Sequence, residues 1–260
     1  MTYLRKPDMN LLLVHLFLLM LRVFFFPGAA HGEEFIVSAA ASLSNALQAV
    51  GTQFQKDHPD ERIIFNFAAS GALLRQIEQG APVDLFASAN QAFMDEAQAK
   101  GLIRSATRRD FARNTLVLAV PADSPGGIRQ AADLADTVSL RIAIGNPDTV
   151  PAGRYARQAL KRLGLWDSCQ ERLILANSVR QVLDYLRRGE VDAGLVYATD
   201  IAIAGDRVVQ LQTLATDSPI RYCIAAVNKA AHPRAGSRFI AYLCSTKGQR
   251  ILGGFGFQAP

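Results

Sequence analysis

Cysteine is scarce. The 260-residue chain has Cys169, Cys223 and Cys244, with no metal or redox spacing among them, which excludes a zinc site built on cysteine. None precedes Cys169, so the sequence predicts no lipid anchor on an N-terminal cysteine. In an oxidising compartment Cys223 and Cys244 are the two best able to pair, but buried free thiols are the expected state. Histidine is equally thin. Beyond the N-terminal segment only His31, His58 and His232 occur, the last two in the turn-like contexts "KDHPD" and "AHPRA". No "GxSxG" is present, and a Ser-His-Asp triad would have to draw its base from one of these turn-like contexts. The C-terminal "GFGFQA" has the glycines of a dinucleotide fingerprint but no helix to follow them.

Charge of one sign is also lacking. The formal charge is +5 over the whole chain, and it falls further once Arg5, Lys6, Arg22 and Asp8 are set aside with the first thirty residues. So weak and dispersed a balance gives no reason to expect nucleic acid as a partner. The pairs Arg108–Arg109 and Arg187–Arg188 read as solvated helix or loop faces.

Long apolar runs are limited to one. Leu11 to Phe26 follows Arg5 and Lys6 and precedes "PGAAHGEE". A membrane span needs ~20 apolar residues, and this run is shorter and holds His15 and Arg22. Basic start, apolar centre and small-residue end make residues 1–32 a secretory signal peptide, cut after Ala30 or Gly32. The mature protein is expected to be soluble, exported and periplasmic.

What is there is half hydrophobic residues, enough for a sizeable core in one or two domains. From Glu33 onward short apolar strands alternate with helical patterns, the mark of an α/β fold with mainly parallel sheets. "FIVSAA" leads to a helix with Leu43, Ala46, Leu47, Val50 and Phe54 on one face, and "RIIFNFA" to one with Leu73, Leu74 and Ile77. "LRIAIG" leads through "NPDTV" to Tyr155, Ala156, Ala159 and Leu163, and "RLILA" to Val179, Val182, Leu183 and Leu186. The second and fourth units repeat one plan: strand, small polar turn, helix, glycine (Gly80, Gly189), Val-Asp and another strand. Two similar lobes follow, with residues 33–113 in the first, 114–226 in the second and 227–260 returning to the first. "NTLVLAVPAD" and "YCIAAVNKA" are the expected crossings, and "AGSRFIAYLCSTKGQRIL" the returning helix. Two lobes on two crossings make a hinged ligand trap.

Open α/β sheets bind ligands at the carboxyl ends of parallel strands. The four strand-to-helix turns hold Ser42, Ser70–Gly71, Pro151–Ala152–Gly153 and Ser178–Val179. Each exposes N–H groups with no partner inside the helix, which favours anions. Taken singly, Ser42 or Ser70 reads as an ordinary N-cap. Four such junctions in two repeated lobes point to a shared anion site. Asp84 and Asp192, at matching places before strands, read as hydrogen-bond acceptors rather than as an acid/base pair.

"AAASLSNAL", "AASGALLRQIEQGAPVDLFASAN", "PAGRYARQAL" and "GLVYATD" resemble the motifs of the periplasmic molybdate-binding proteins of ABC transporters, from about Phe35 to Phe257. The resemblance implies a two-lobed type II periplasmic-binding fold that closes on molybdate or tungstate. It implies hydroxyl and backbone donors from Ser42 and Ser70, backbone N–H groups from Ala152 and Val179, and the hydroxyl of Tyr197. These touch the oxyanion, not the metal itself. It further implies a monomer that hands its ligand to an inner-membrane ABC permease, uses no cofactor and is not an enzyme. Ala69 stands where the family often has serine, and the C-terminus is glycine-rich, but neither is a matched contact. The rival readings are a binder of another oxyanion such as sulfate, and a secreted hydrolase with Ser70 as nucleophile.

Overall fold

A strand covered on both faces needs no polar alternation, and "LVLAV" at Leu116–Val120 is buried throughout. The computed structural model describes residues 33–124, 127–135 and 140–260; the expected signal peptide and its cleavage point lie outside the described residues. Strands β1 to β10 are Glu33–Ala40, Glu61–Ala68, Leu85–Ser88, Arg109–Asn114, Leu116–Pro121, Ile142–Gly145, Leu173–Ala176, Ala193–Tyr197, Val208–Leu214 and Ile220–Ala226. Helices α1 to α4 are Ser44–Asp57, Ser70–Glu78, Gln91–Ala99 and Pro151–Arg162. Helices α5 to α9 are Trp166–Cys169, Val179–Arg187, Ala198–Ala204, Pro233–Cys244 and Thr246–Gly254.

Two five-stranded sheets result, in the orders β2-β1-β3-β10-β4 and β7-β6-β8-β5-β9. In the first, β10 runs against its neighbours β3 and β4; in the second, β5 runs against β8 and β9. The remaining strands of each sheet point one way, as the alternating pattern predicts. Each reversed strand directly follows a crossing, β5 after Thr115 and β10 after residues 215–219. The second crossing therefore lies earlier than the expected boundary at 226/227, and "YCIAAV" is a strand of the first sheet. An all-apolar run buried on both faces gives no sign of which sheet it joins.

The lobes repeat in detail. Asp84 accepts from the Ile36 amide at 2.9 Å, and Asp192 from the Arg141 amide at 2.7 Å. Each carboxylate, set just before β3 or β8, thus ties that strand's lead-in to the neighbouring strand, the acceptor role read from their matching positions. Asp84 also accepts from the His232 amide at 2.8 Å, while His58 lies against the Phe54 ring.

The apolar faces predicted for α1, α2 and α6 are buried. On α4 the face closes with Leu160, and Leu163, the residue that caps the helix, is exposed. The single returning helix is in fact α8 and α9, broken at Ser245, whose extended backbone and hydroxyl cap the second by accepting from the Gly248 amide. Arg108 is half-buried and pairs with Asp95 at 2.7 Å, whereas Arg109, Arg187 and Arg188 are exposed. All three cysteines are free, Cys169 and Cys223 buried and Cys244 exposed. Among the described residues no helix is long and apolar enough to cross a membrane.

Candidate functional site

The carboxyl ends of β1, β2, β6, β7 and β8 carry the residues singled out in the sequence. β1 ends in a 3-10 turn, Ala41–Leu43, that holds Ser42. β2 ends one residue before Ala69, the cap of α2, so Ser70 is the first helical residue. Neither serine caps its own helix. In the second lobe the "NPDTV" turn is closed by Asn146, whose side chain accepts from Asp148 at 3.0 Å and whose carbonyl accepts from Val150 at 2.8 Å. That turn delivers Pro151 to the first position of α4, where its missing N–H costs nothing. Gly153 follows because a Cβ there would fall 1.9 Å from the Gly145 carbonyl oxygen. Ser178 alone is an ordinary cap, accepting from Gln181 at 3.2 Å and presenting Val179 as the first residue of α6.

Ser42, Ser70, Ala152, Val179 and Tyr197 line one small cavity together with Ala40, Ala69 and Pro151. The cavity is only ≈ 10 Å³, far below the ~300 Å³ or more of sites for organic ligands. No His, Cys, Lys, Arg, Asp or Glu lines it. His58 and His232 are both elsewhere, so Ser70 has no base beside it there. A larger groove of ≈ 520 Å³ on the second lobe mixes Asp192 and Asp206 with Arg187 and Arg207, and includes none of these five residues.

The cavity is lined with donors. First-turn amides have no intrahelical acceptor. The Ser70 oxygen accepts from the Ala89 amide at 3.1 Å, which leaves its proton to donate. The Tyr197 hydroxyl is buried with no hydrogen-bond partner, an expensive state for a phenol. Burial, and then Tyr222 beside it, push its pKa well above the usual value, so it stays protonated.

Three contacts hold the lobes closed around this point. The Gly71 amide donates to the Thr149 carbonyl at 3.0 Å, and a Cβ on Gly71 would lie 2.8 Å from that same oxygen. This is why a glycine follows Ser70. The Arg154 guanidinium sits over the Phe93 ring at 3.8 Å. Arg180 reaches from α6 to the Ala41 and Ser42 carbonyls at 3.2 and 3.0 Å, and faces Asp200 at 3.5 Å. The sequence reading missed Arg180. A cation in the first turn of a helix opposes the helix dipole, and that local conflict was the available signal.

Residues 35–258 match the family model of the bacterial extracellular solute-binding proteins. The chain belongs to that family. It is 39% identical to the Escherichia coli K12 molybdate-binding protein ModA over 228 residues, 85% of this chain and 87% of that one. It is 36% identical to ModA of Haemophilus influenzae over 236 residues, 88% of this chain and 92% of the relative. The solved periplasmic molybdate-binding protein of Azotobacter vinelandii superposes with a TM-score of 0.75 at 26% identity, covering 87% of this chain and 99% of that one. The two-lobed solute-binding fold is thereby established.

Burial raises the Asp200 pKa from the ordinary 3.8 to about 6, against the opposing pull of Arg180 and the Tyr197 amide. The folded protein thus holds this proton more tightly than the unfolded chain, and the ionised carboxylate costs stability at higher pH. On acidification through pH 6 toward 4 that cost should disappear, while Asp200→Asn should lack this component. Thermal melting of both proteins across the window checks it, and a pH-independent gap between them would contradict it.

Proposed function

We propose that this solute-binding protein captures molybdate, and tungstate with it, in the cleft between its lobes and delivers it to an inner-membrane ABC permease. The observation that carries this reading is the convergence of Ser42, Ser70, Ala152, Val179 and Tyr197 on one uncharged cavity, with the Tyr197 hydroxyl unpartnered. The names of the relatives agree with it. In this reading the protein works as an exported periplasmic monomer, with neither catalysis nor a cofactor.

Neutral donors and helix dipoles hold a fully ionised dianion without a buried cation. Hydrogen phosphate carries a proton that needs an acceptor, and no carboxylate lines the cavity. Sulfate has the right charge but is smaller than a cage set for longer bonds. Molybdate and tungstate should therefore raise the melting temperature by mass action, with sulfate and phosphate at equal concentration doing little. A sulfate shift as large as that of molybdate would move the protein to the sulfate binders.

Tyr197→Phe keeps the ring and deletes one donor. The expected loss is about 1–3 kcal/mol for a charge-assisted bond, or roughly tenfold to a hundredfold in affinity. Calorimetric titration with molybdate measures it, and unchanged affinity would remove Tyr197 from the site. Gly71→Ala tests closure instead. Its Cβ would meet the Thr149 oxygen across the cleft and the Phe93 ring of its own lobe, so overpacking of about 1–3 kcal/mol burdens the closed form beyond what the first lobe alone absorbs. Weaker molybdate binding with native circular dichroism is expected; wild-type affinity would mean that this contact is not needed for capture.

A further inference from the structure

The Ser42 hydroxyl has Tyr222 Oη as a partner at 3.1 Å, and from that distance either oxygen could donate. The surrounding network fixes the direction. The Thr115 amide donates to Asn114 Oδ1 at 2.9 Å, which identifies the oxygen end of that side chain. Asn114 Nδ2 therefore faces Tyr222 Oη at 3.1 Å and Thr199 Oγ1 at 2.8 Å. An amide nitrogen only donates, so Tyr222 accepts there and must send its own proton elsewhere. Burial raises the Tyr222 pKa, which keeps that proton in place. The Tyr197 ring is 5.9 Å away, but its hydroxyl makes no hydrogen bond. Ser42 Oγ is the acceptor that remains.

We propose that Asn114 and Tyr222 are positioning residues that fix the polarity of the site. A one-way chain of donors runs from the Thr115 amide through Asn114 and Tyr222 to Ser42, and aims the Ser42 proton into the cleft. Ser42, Asn114 and Tyr222 are all buried, so water does not compete for these bonds. The Ser70 oxygen is set in the same sense by the Ala89 amide. Ser42 cannot turn to accept a ligand proton without stranding its own proton or that of Tyr222. Selection of a fully ionised oxyanion over a protonated one therefore reaches back through two side chains that touch no ligand, to Asn114 at the end of β4 beside the Thr115 crossing.

The proposal rests on the molybdate reading, and its test separates the two. Tyr222→Phe, Ser42→Ala and the double variant would be titrated with molybdate and with arsenate, a tetrahedral oxyanion that keeps one proton near neutral pH. Tyr222→Phe should weaken molybdate binding about tenfold and narrow the preference over arsenate, because Ser42 is then free to accept. In the Ser42→Ala background the same change should alter affinity by less than about twofold, since the effect acts through Ser42. Additive losses, or equal losses for both oxyanions, would overturn the relay. Wild-type protein that ignores molybdate would overturn the functional reading instead. Should Tyr222→Phe fail to fold, neutron diffraction from deuterated wild-type crystals decides the matter. A deuteron on Tyr222 directed at Ser42 Oγ supports the relay, and one on Ser42 directed at Tyr222 refutes it.

Discussion

A buried donor without an acceptor is one of the costlier states a protein can hold, and the architecture gathers several at one point. The first turns of α2, α4 and α6 present amides that their helices cannot use. The buried Tyr197 hydroxyl joins them without a partner. Two lobes must bring these groups together, because one sheet offers helix mouths only along its own carboxyl edge. The small residues, the proline at the head of α4 and the two glycines of close approach all serve that convergence. Gly153 lets the head of α4 pack against the Gly145 carbonyl, and Gly71 lets the Thr149 carbonyl come within 3.0 Å of its amide.

The sequence made the repeated plan legible because strand, small turn and amphipathic helix are local signals. The buried faces of α1, α2 and α6 follow from helical spacing alone, as do the strands leading into them. Ser42 and Ser70 were more ambiguous, since each one alone fits an N-cap. Only their recurrence, and the resemblance built on it, placed them at a shared site. Tertiary partners were not legible. Asn114, Tyr222 and Asp200 sit in unremarkable strand or helix-start contexts, and the folded lobes bring them together across separations of 108 residues for Asn114 and Tyr222. The misplaced second crossing has the same origin: "YCIAAV" pairs with β3 and β4 through backbone register, which side-chain pattern does not encode.

Charge is kept one layer away from the cavity. Arg180 and Asp200 face each other at 3.5 Å, and the guanidinium is further committed to two carbonyls of the turn that carries Ser42. A cation this close would otherwise attract any anion by simple Coulomb attraction, with little regard for protonation or size. Paired with Asp200, it becomes a fastener between lobes. The cavity itself is left to directional dipoles, which discriminate by where each donor points.

Closing and recognising are thereby assigned to different groups. Arg180, Arg154 and the Gly71 amide join the lobes through contacts made within the protein, with no ligand atom among them. A ligand shifts the balance between open and closed forms only through its own differential contacts. Under the proposed function those contacts are the donors drawn from both lobes. An oxyanion that satisfies the donors of one lobe alone would gain nothing from closure. One that satisfies both removes the cost of the stranded donors just as the fastening contacts form. Asn114 stands next to the Thr115 crossing and bonds both to Tyr222 on β10 and to Thr199 on α7. The crossing between the lobes is thus tied by hydrogen bonds, through Asn114 and Tyr222, to the serine whose proton the proposed relay aims.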